Sequence, residues 1–353
     1  MKILFFIGQL YGGGAERVAA TLLNHLAEQN DVIAVISHDK KSPYHLSQKV
    51  AIRKITYSGR FKITRIIDRT KKIYETINET KPDLIISFVA ELNGCTILAN
   101  IINKRKIIVS ERTTIERKQS FWHSFSRHIL YRFADNVVFV SKSDYETSKW
   151  LNKKSFIYNP LTFPITDNYG QREKNIVAIG WQSRWHIKGF DSLIQAWNKI
   201  APQNPDWKLQ FIGFNDDSHI RNLVKLNHID KQVEFLGWTY EIDKIMRTKS
   251  IYVLSSRNEG FPNSLIEAMS QGCACIAFDC KTGPNEIITN GVSGLLAKNG
   301  DVDDLATKLQ LLIEDEELRR RLSDGAAKEV RRFEKELIMK QWDNLIRNTI
   351  MGK

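Results

Sequence analysis

Short apolar runs recur along the chain, each followed by a stretch long enough for a helix. In the first half they lie at residues 2–7, 32–36, 83–88, 106–110 and 136–140. Apolar runs of that length bounded by turn formers suit strands buried on both faces. Between them the spacing becomes helical: Val18, Leu22 and Leu26 share one face, as do Ile63, Ile66, Ile67, Ile73 and Ile77. Strand, helix, strand in that order predicts βαβ units and a parallel sheet. From Asn159 to Glu173 two prolines and several turn formers leave no helical face, and this stretch reads as a linker. The alternation then restarts at 175–180, 208–213, 232–236, 250–255 and 274–278. After Asp301 the text is helical, with Leu305, Leu309 and Leu312 on one face and a last helix at 334–350.

Two doubly wound α/β domains follow, at residues 1–165 and 166–335, with residues 336–353 as a helix packing back on the first; the length of 353 residues accommodates both. In open parallel sheets ligands gather at the C-terminal ends of the strands. The chemistry is therefore expected on loops just after the apolar runs, with the cleft between the domains as the pocket.

Composition narrows the class. An apolar fraction of 42% and a charged fraction of 26% exclude a mainly disordered chain. No run approaches the roughly 18 residues of a membrane span, and the opening strand runs straight into glycines without a cleavage site, so a cytoplasmic protein is expected. In that reducing setting Cys95, Cys273, Cys275 and Cys280 form no disulfide framework. The last three lack a paired CxxC and read as buried small residues, so no metal is expected there.

Charge changes the picture more. The net charge is +12, yet residues 1–165 hold 26 Lys and Arg against 14 Asp and Glu, while residues 166–353 hold 26 of each. The whole excess sits in the first half, which suggests that this domain meets an anionic surface. Residues 120–133 mix aromatics with basic residues after Arg117 and Lys118. A second basic stretch holds Arg53, Lys54, Arg60, Lys62, Arg65, Arg69, Lys71 and Lys72. Both suit peripheral docking on the inner face of an anionic membrane. A nucleic-acid partner is not expected, because it would rest on charge alone and no recognised module is present.

The candidate chemistry centres on residues 255–269. A strand ends, a Gly-Pro loop turns, and Asn263 or Ser264 is placed to cap a helix whose first turn holds Glu267. Free N–H groups at such a helix start favour a diphosphate. Glu259 and Glu267 bracket that start, and as acceptors their natural partners are the hydroxyls of a sugar and of a ribose. On these residues alone a plainer reading stays open, with Glu267 complementing the helix dipole and Glu259 solvated. Asp39 after the second run could be the ribose acid of a dinucleotide site, but G-x-G-x-x-G is absent around Gly12, Gly13 and Gly14. Asp301, Asp303 and Asp304, and Asp216 with Asp217, read as helix caps rather than metal ligands.

Glu259-x7-Glu267 with Gly-Phe-Pro inside it resembles the EX7E motif of the retaining glycosyltransferases of family 4, which have the GT-B fold. Gly13-Gly14-Ala15-Glu16-Arg17 is similar to that family's N-terminal glycine loop, Tyr158-Asn159-Pro160 to its linker, and Gly283 to Ile288 to its next loop. The resemblance implies two Rossmann-like domains facing across a cleft, with the acceptor on the first and a nucleotide sugar on the second. It implies that Glu259 contacts the donor sugar and Glu267 the ribose. Gly260, Phe261, Pro262, Asn263 and Ser264 would bind diphosphate and sugar, and Gly13 and Gly14 would approach the donor phosphate or the acceptor. Relatives carry an Arg and a Lys after the first strand of the second domain to neutralise the leaving diphosphate. Lys188 matches the Lys, while the usual arginine position holds Trp181, which leaves Arg184 as the substitute. Glu111 stands where relatives keep a polar acceptor-side residue. The implied reaction passes a hexose or N-acetylhexosamine from a UDP-sugar to a lipid-linked or lipopolysaccharide glycan, with retention and with neither metal nor cofactor. A sugar-nucleotide epimerase, or a transferase to a soluble acceptor, would suit the same fold.

Overall fold

The structure is a computed structural model that describes residues 1–38, 42–58, 61–115, 120–166, 170–214 and 218–352. Asp39, Arg60, Arg117, Lys118, Asp216 and Asp217 lie outside the described residues. The chain forms two compact units, Met1–Thr162 with Lys335–Lys353, and Phe163–Glu334.

In the first unit seven strands run parallel: β1 (Lys2–Phe6), β2 (Asp31–Ile36), β3 (Val50–Lys54), β4 (Leu84–Ser87), β5 (Lys106–Glu111), β6 (Asn136–Phe139) and β7 (Lys154–Phe156). Their order is β3-β2-β1-β4-β5-β6-β7, so the sequence direction reverses between β1 and β4. Both faces of β1 are covered. Ile3 and Phe5 join the core that holds Val18, Leu22 and Leu26 of helix Gly14–Leu26, and Leu4 and Phe6 join the core that holds Ile73 and Ile77. Helix Lys335–Met351 completes the first of these cores with Ile338, Met339, Trp342 and Ile346; Trp342 lies against Phe88, ring centroids 6.4 Å apart.

The second unit holds six parallel strands: β8 (Glu173–Ile179), β9 (Lys208–Ile212), β10 (Val233–Phe235), β11 (Lys249–Leu254), β12 (Ala274–Asp279) and β13 (Leu295–Lys298). They are ordered β10-β9-β8-β11-β12-β13, and the reversal lies between β8 and β11. Ile251 is paired with Ile176 on one side and Ala274 on the other. An aromatic cluster fills the core beside them, with Phe190 5.1 Å from Phe211 and 5.2 Å from Phe214. Phe190 opens helix Phe190–Ile200 and so anchors the end of the loop that follows β8.

Two expectations change. Of the isoleucine face on helix Lys62–Thr80, Ile73 and Ile77 are core and Ile66 packs against it, but Ile63 and Ile67 are 70% and 64% exposed, because Ile63 lies in the first turn and Ile67 to one side of the stripe that meets the core. The segment 120–133 is not one helix. Helix Phe121–His128 stops where Arg127 turns inward to pair with Glu111, and a 3-10 turn, Leu130–Phe133, follows with Leu130 and Tyr131 buried.

Candidate active site

The loops after β8 and β11 flank the reversal of strand order in the second unit, the position at which open sheets of this kind bind ligands. Several contacts press the two loops together. Arg257 donates to both oxygens of Asp191, at 2.8 and 2.7 Å, and to Ser192 Oγ at 3.0 Å. Its backbone N–H donates to Ile187 O, and Ser255 Oγ donates to Lys188 O at 2.8 Å. Burial would raise the Asp191 carboxyl, but the hydrogen bonds and charge of Arg257 hold it below its ordinary value. Between these clasps Gly189 has φ +63°, and a Cβ there would meet Ser255 O at 1.9 Å, so only glycine allows so close an approach.

The clasped loops bring together two residues 71 positions apart. Lys188 Nζ lies 2.7 Å from Glu259 Oε1, with the side chains 19% and 14% exposed. The loop after β12 closes the other side, where Thr282 Oγ1 donates to Glu259 O. Gly283, at φ +95°, sits so near Pro262 that a Cβ would reach its Cδ at 2.7 Å.

Helix Asn263–Ser270 starts here, and its cap differs from the expectation. Pro262 is the N-cap and no side chain caps the helix. Ser264 Oγ instead meets the Tyr252 hydroxyl at 2.7 Å, and burial pushes that phenol well above its ordinary pKa, keeping it neutral. The first turn therefore offers N–H groups that no side-chain cap satisfies, an arrangement that favours an anion. Glu267 falls in the second turn rather than the first and is buried. Phe261 packs edge-on against Phe333 at 5.3 Å, which fixes the loop from below. Arg184 stands apart on the exposed 3-10 turn Gln182–Arg184, and among the described residues its side chain makes no hydrogen bond or ion pair.

In the first unit the glycine loop follows β1. Gly12 has φ +105°, Gly13 is the N-cap of helix Gly14–Leu26, and the Tyr44 hydroxyl donates to Gly13 O at 3.1 Å. Glu111 is a correction. It has no exposed surface, and its carboxylate accepts from Arg127 Nε at 3.0 Å, the Tyr131 hydroxyl at 2.8 Å and the Thr113 hydroxyl at 2.7 Å. Arg127 also donates to Ile115 O at 3.1 Å. This buried pair holds the loop after β5 and has no oxygen to offer an acceptor. Neither Arg127 nor Arg257 was singled out from the sequence, because each pairs with a residue 16 or more positions away and belongs to no periodic pattern.

Asp301 caps helix Val302–Glu314 through the N–H groups of Asp303 and Asp304. All four cysteines are buried, and burial pushes Cys273 up to about 11 and Cys280 up to about 12. Among the described residues no group of three or more His, Cys, Asp or Glu could hold a metal.

The first unit also carries an apolar and basic surface. Helices Lys62–Thr80 and Phe121–His128 both pack on helix Ala90–Asn103, where Gly94 lets Ser126 and Trp122 come close. Phe61, Ile63 and Ile67 project from the first and Phe121, 87% exposed, and Phe125 from the second, alongside exposed Lys62, Arg65, Lys71 and Arg132. Among the described residues no helix is long and apolar enough to cross a membrane.

Comparison with known proteins covers both units. Residues 167–329 match the family Glycosyl transferases group 1, and residues 12–155 match Glycosyltransferase Family 4. Over 365 residues the chain is 29% identical to the GalNAc-alpha-(1->4)-GalNAc-alpha-(1->3)-diNAcBac-PP-undecaprenol alpha-1,4-N-acetyl-D-galactosaminyltransferase of Campylobacter jejuni, covering 98% of each. It is 27% identical over 362 residues to the amylovoran biosynthesis glycosyltransferase AmsD of Erwinia amylovora, covering 98% of this chain and 99% of that one. Among solved structures, HepE of Anabaena in complex with UDP superimposes with a TM-score of 0.83 at 20% identity, covering 99% and 100% of the two chains. That last likeness is one of fold.

Proposed function

The chain belongs to the family 4 glycosyltransferases of the GT-B fold, and from that premise we propose that it transfers a hexose or N-acetylhexosamine from a UDP-sugar to a lipid-linked or lipopolysaccharide glycan, with retention of configuration. The observation that carries this reading is the pairing of Lys188 with Glu259 at the reversal of strand order, beside a helix start that no side chain caps. The diphosphate lies against the N–H groups of Gly260, Phe261, Asn263 and Ser264, Pro262 having none. Lys188, with Arg184 from its exposed turn, balances the charge that grows on the departing phosphate. Glu259 accepts from hydroxyls of the donor sugar and Glu267 from the ribose. The leaving phosphate helps take the proton of an acceptor that attacks from the same face. Cations of the protein do the work a metal would do, so EDTA leaves turnover unchanged.

The first unit binds the acceptor, and its Gly13–Gly14 loop approaches the donor phosphate or the acceptor. Lipid-linked acceptors are supported by the undecaprenol-linked substrate in the Campylobacter relative's name. They are supported too by the exposed aromatics flanked by lysine and arginine, which suit a peripheral site on an anionic leaflet. Sedimentation with vesicles containing phosphatidylglycerol should carry the protein down at low salt and release it at high salt. No sedimentation at low salt would remove the membrane part of the reading.

Calorimetry tests the centre. UDP binding should be lost in Glu267→Ala and largely kept in Glu259→Ala, whose turnover collapses instead. Equal behaviour of both variants and the parent would overturn the assignment. Product analysis separates transfer from epimerisation, since an epimerase alters the donor with no acceptor present.

A further inference from the structure

Strand β5 of the first unit ends at Glu111, and the residue that follows is an arginine with unusual surroundings. The Arg112 guanidinium lies over the Phe88 ring, 3.8 Å from its centroid, and Phe88 is held in turn by Phe5 and Trp342. Nη1 donates to Asn159 Oδ1 at 2.6 Å. The side chain keeps some exposure, yet Nε and Nη2 are buried and meet no acceptor among the described residues. The neighbouring carboxylate of Glu111 is already taken by Arg127, Tyr131 and Thr113.

Burial pushes the Arg112 guanidinium down to about 9, against the pull of the Glu111 charge, so it remains a cation at neutral pH. A cation with three of its five N–H donors buried and unmet is unfavourable unless something completes it. The unmet donors are also not scattered. Nε and Nη2 form the edge of the guanidinium whose two parallel N–H groups match two oxygens of a carboxylate or phosphoryl group. Phe88 under the plane and Asn159 on the other side hold that edge in one orientation. It sits at the C-terminal end of β5, next to β4 and one strand from the reversal of order in this sheet.

We propose that Arg112 binds an oxyanion in the first unit, taking two oxygens of a substrate phosphoryl group through Nε and Nη2. This deepens the acceptor half of the function proposed above and rests on that reading for the kind of anion. Phosphoryl oxygens are present on both a lipid-diphosphate acceptor and a nucleotide donor, and the test separates the two sources.

The full chain and its Arg112→Gln and Arg112→Lys variants are titrated by calorimetry with citronellyl diphosphate, with uncharged citronellol and with UDP. Arg112→Gln should weaken the prenyl diphosphate roughly ten- to hundredfold, the usual effect of losing charge-assisted hydrogen bonds. Arg112→Lys keeps a cation that can lie over Phe88 but loses the paired donors, and it should recover only part of that affinity. Citronellol should bind all three proteins alike, and UDP should be unaffected. Weakening of UDP instead assigns the oxyanion to the donor. If Arg112→Gln folds poorly, the lysine variant decides. Unchanged binding of both phosphorylated ligands in a folded variant overturns the proposal, whereas failure of the parent to bind UDP overturns the transferase reading itself.

Discussion

Replacing Lys188 by methionine separates two roles of one ammonium group. Nζ lies 2.7 Å from Glu259 Oε1, with both side chains largely shielded from water. At an effective dielectric constant of about 20, unit charges at that distance attract by about 6 kcal/mol. Taking both ions out of water costs several kcal/mol each, so the intact pair contributes little net stability. Removing the cation alone is different, because it strands a mostly buried carboxylate. A fully buried pair would lose about 3 to 5 kcal/mol on such a change, and the remaining exposure brings the expectation here to about 2 to 3 kcal/mol. Adding Glu259→Gln removes the stranded charge, and the double variant should regain most of that stability. Turnover should not return with it. Loss of a preorganised charge facing the departing phosphate costs about 3 to 4 kcal/mol at the transition state, or roughly a hundred- to thousandfold in kcat. Urea unfolding and initial rates of UDP release, measured on the same preparations, give the two quantities side by side. If turnover recovers together with stability in K188M/E259Q, the pair is only a strut between two loops and the catalytic reading of Lys188 is refuted.

Three further outcomes follow from geometry. Arg127→Met leaves the Glu111 carboxylate buried without a cation, so the first unit should lose about 3 to 5 kcal/mol and melt roughly 6 to 20 °C lower; a change below about 3 °C would contradict the buried pair. Gly189→Ala must push its Cβ against Ser255 O and should cut kcat at least about tenfold, while Gly291→Ala, also at positive φ but facing open space, should cost about 1 kcal/mol and leave kcat alone; equal rates would show that the clasp does not set Lys188. Arg257 holds the Asp191 carboxyl below its ordinary value, so the associated stability is complete above the unfolded pKa and is lost as pH falls through the folded one. Asp191→Asn should therefore lose less stability than the parent between about pH 5 and about pH 3, and parallel acid profiles would remove Asp191 from the explanation.

Most of the strands legible in the sequence are buried on both faces, where apolar runs are continuous; β10, with only Val233 buried, is the exception. The three missed strands, β3, β7 and β13, are short. The first has an apolar run of only three residues, Val50-Ala51-Ile52, with Ile52 exposed, and the second is Lys-Ser-Phe, with no run at all. Helical spacing located helix Lys62–Thr80 but could not say which isoleucines meet a neighbour, since periodicity reports a face and not its partner. The chemistry divides along the same line. Glu259, Glu267 and the Gly-Phe-Pro loop are contiguous and stood out as a motif. The clasp of Arg257 on Asp191, the Glu111–Arg127 pair and the stacking of Arg112 on Phe88 join distant positions, so only the folded chain reveals them. Asn263 and Ser264 illustrate a local rule overridden by tertiary contact. Either residue type makes a good cap, yet Ser264 turns to Tyr252 instead.

Helix Lys335–Met351 belongs to the core of the first unit although it follows the whole of the second unit in the chain. A ribosome therefore releases the second unit's sequence before the first can bury Phe88 beneath Trp342. During translation the early half must wait, with that aromatic berth open, for Trp342, which is made 254 residues after Phe88. Proteolytic clipping near Glu334 would for the same reason strike the distant N-terminal sheet before the unit in which the cut falls.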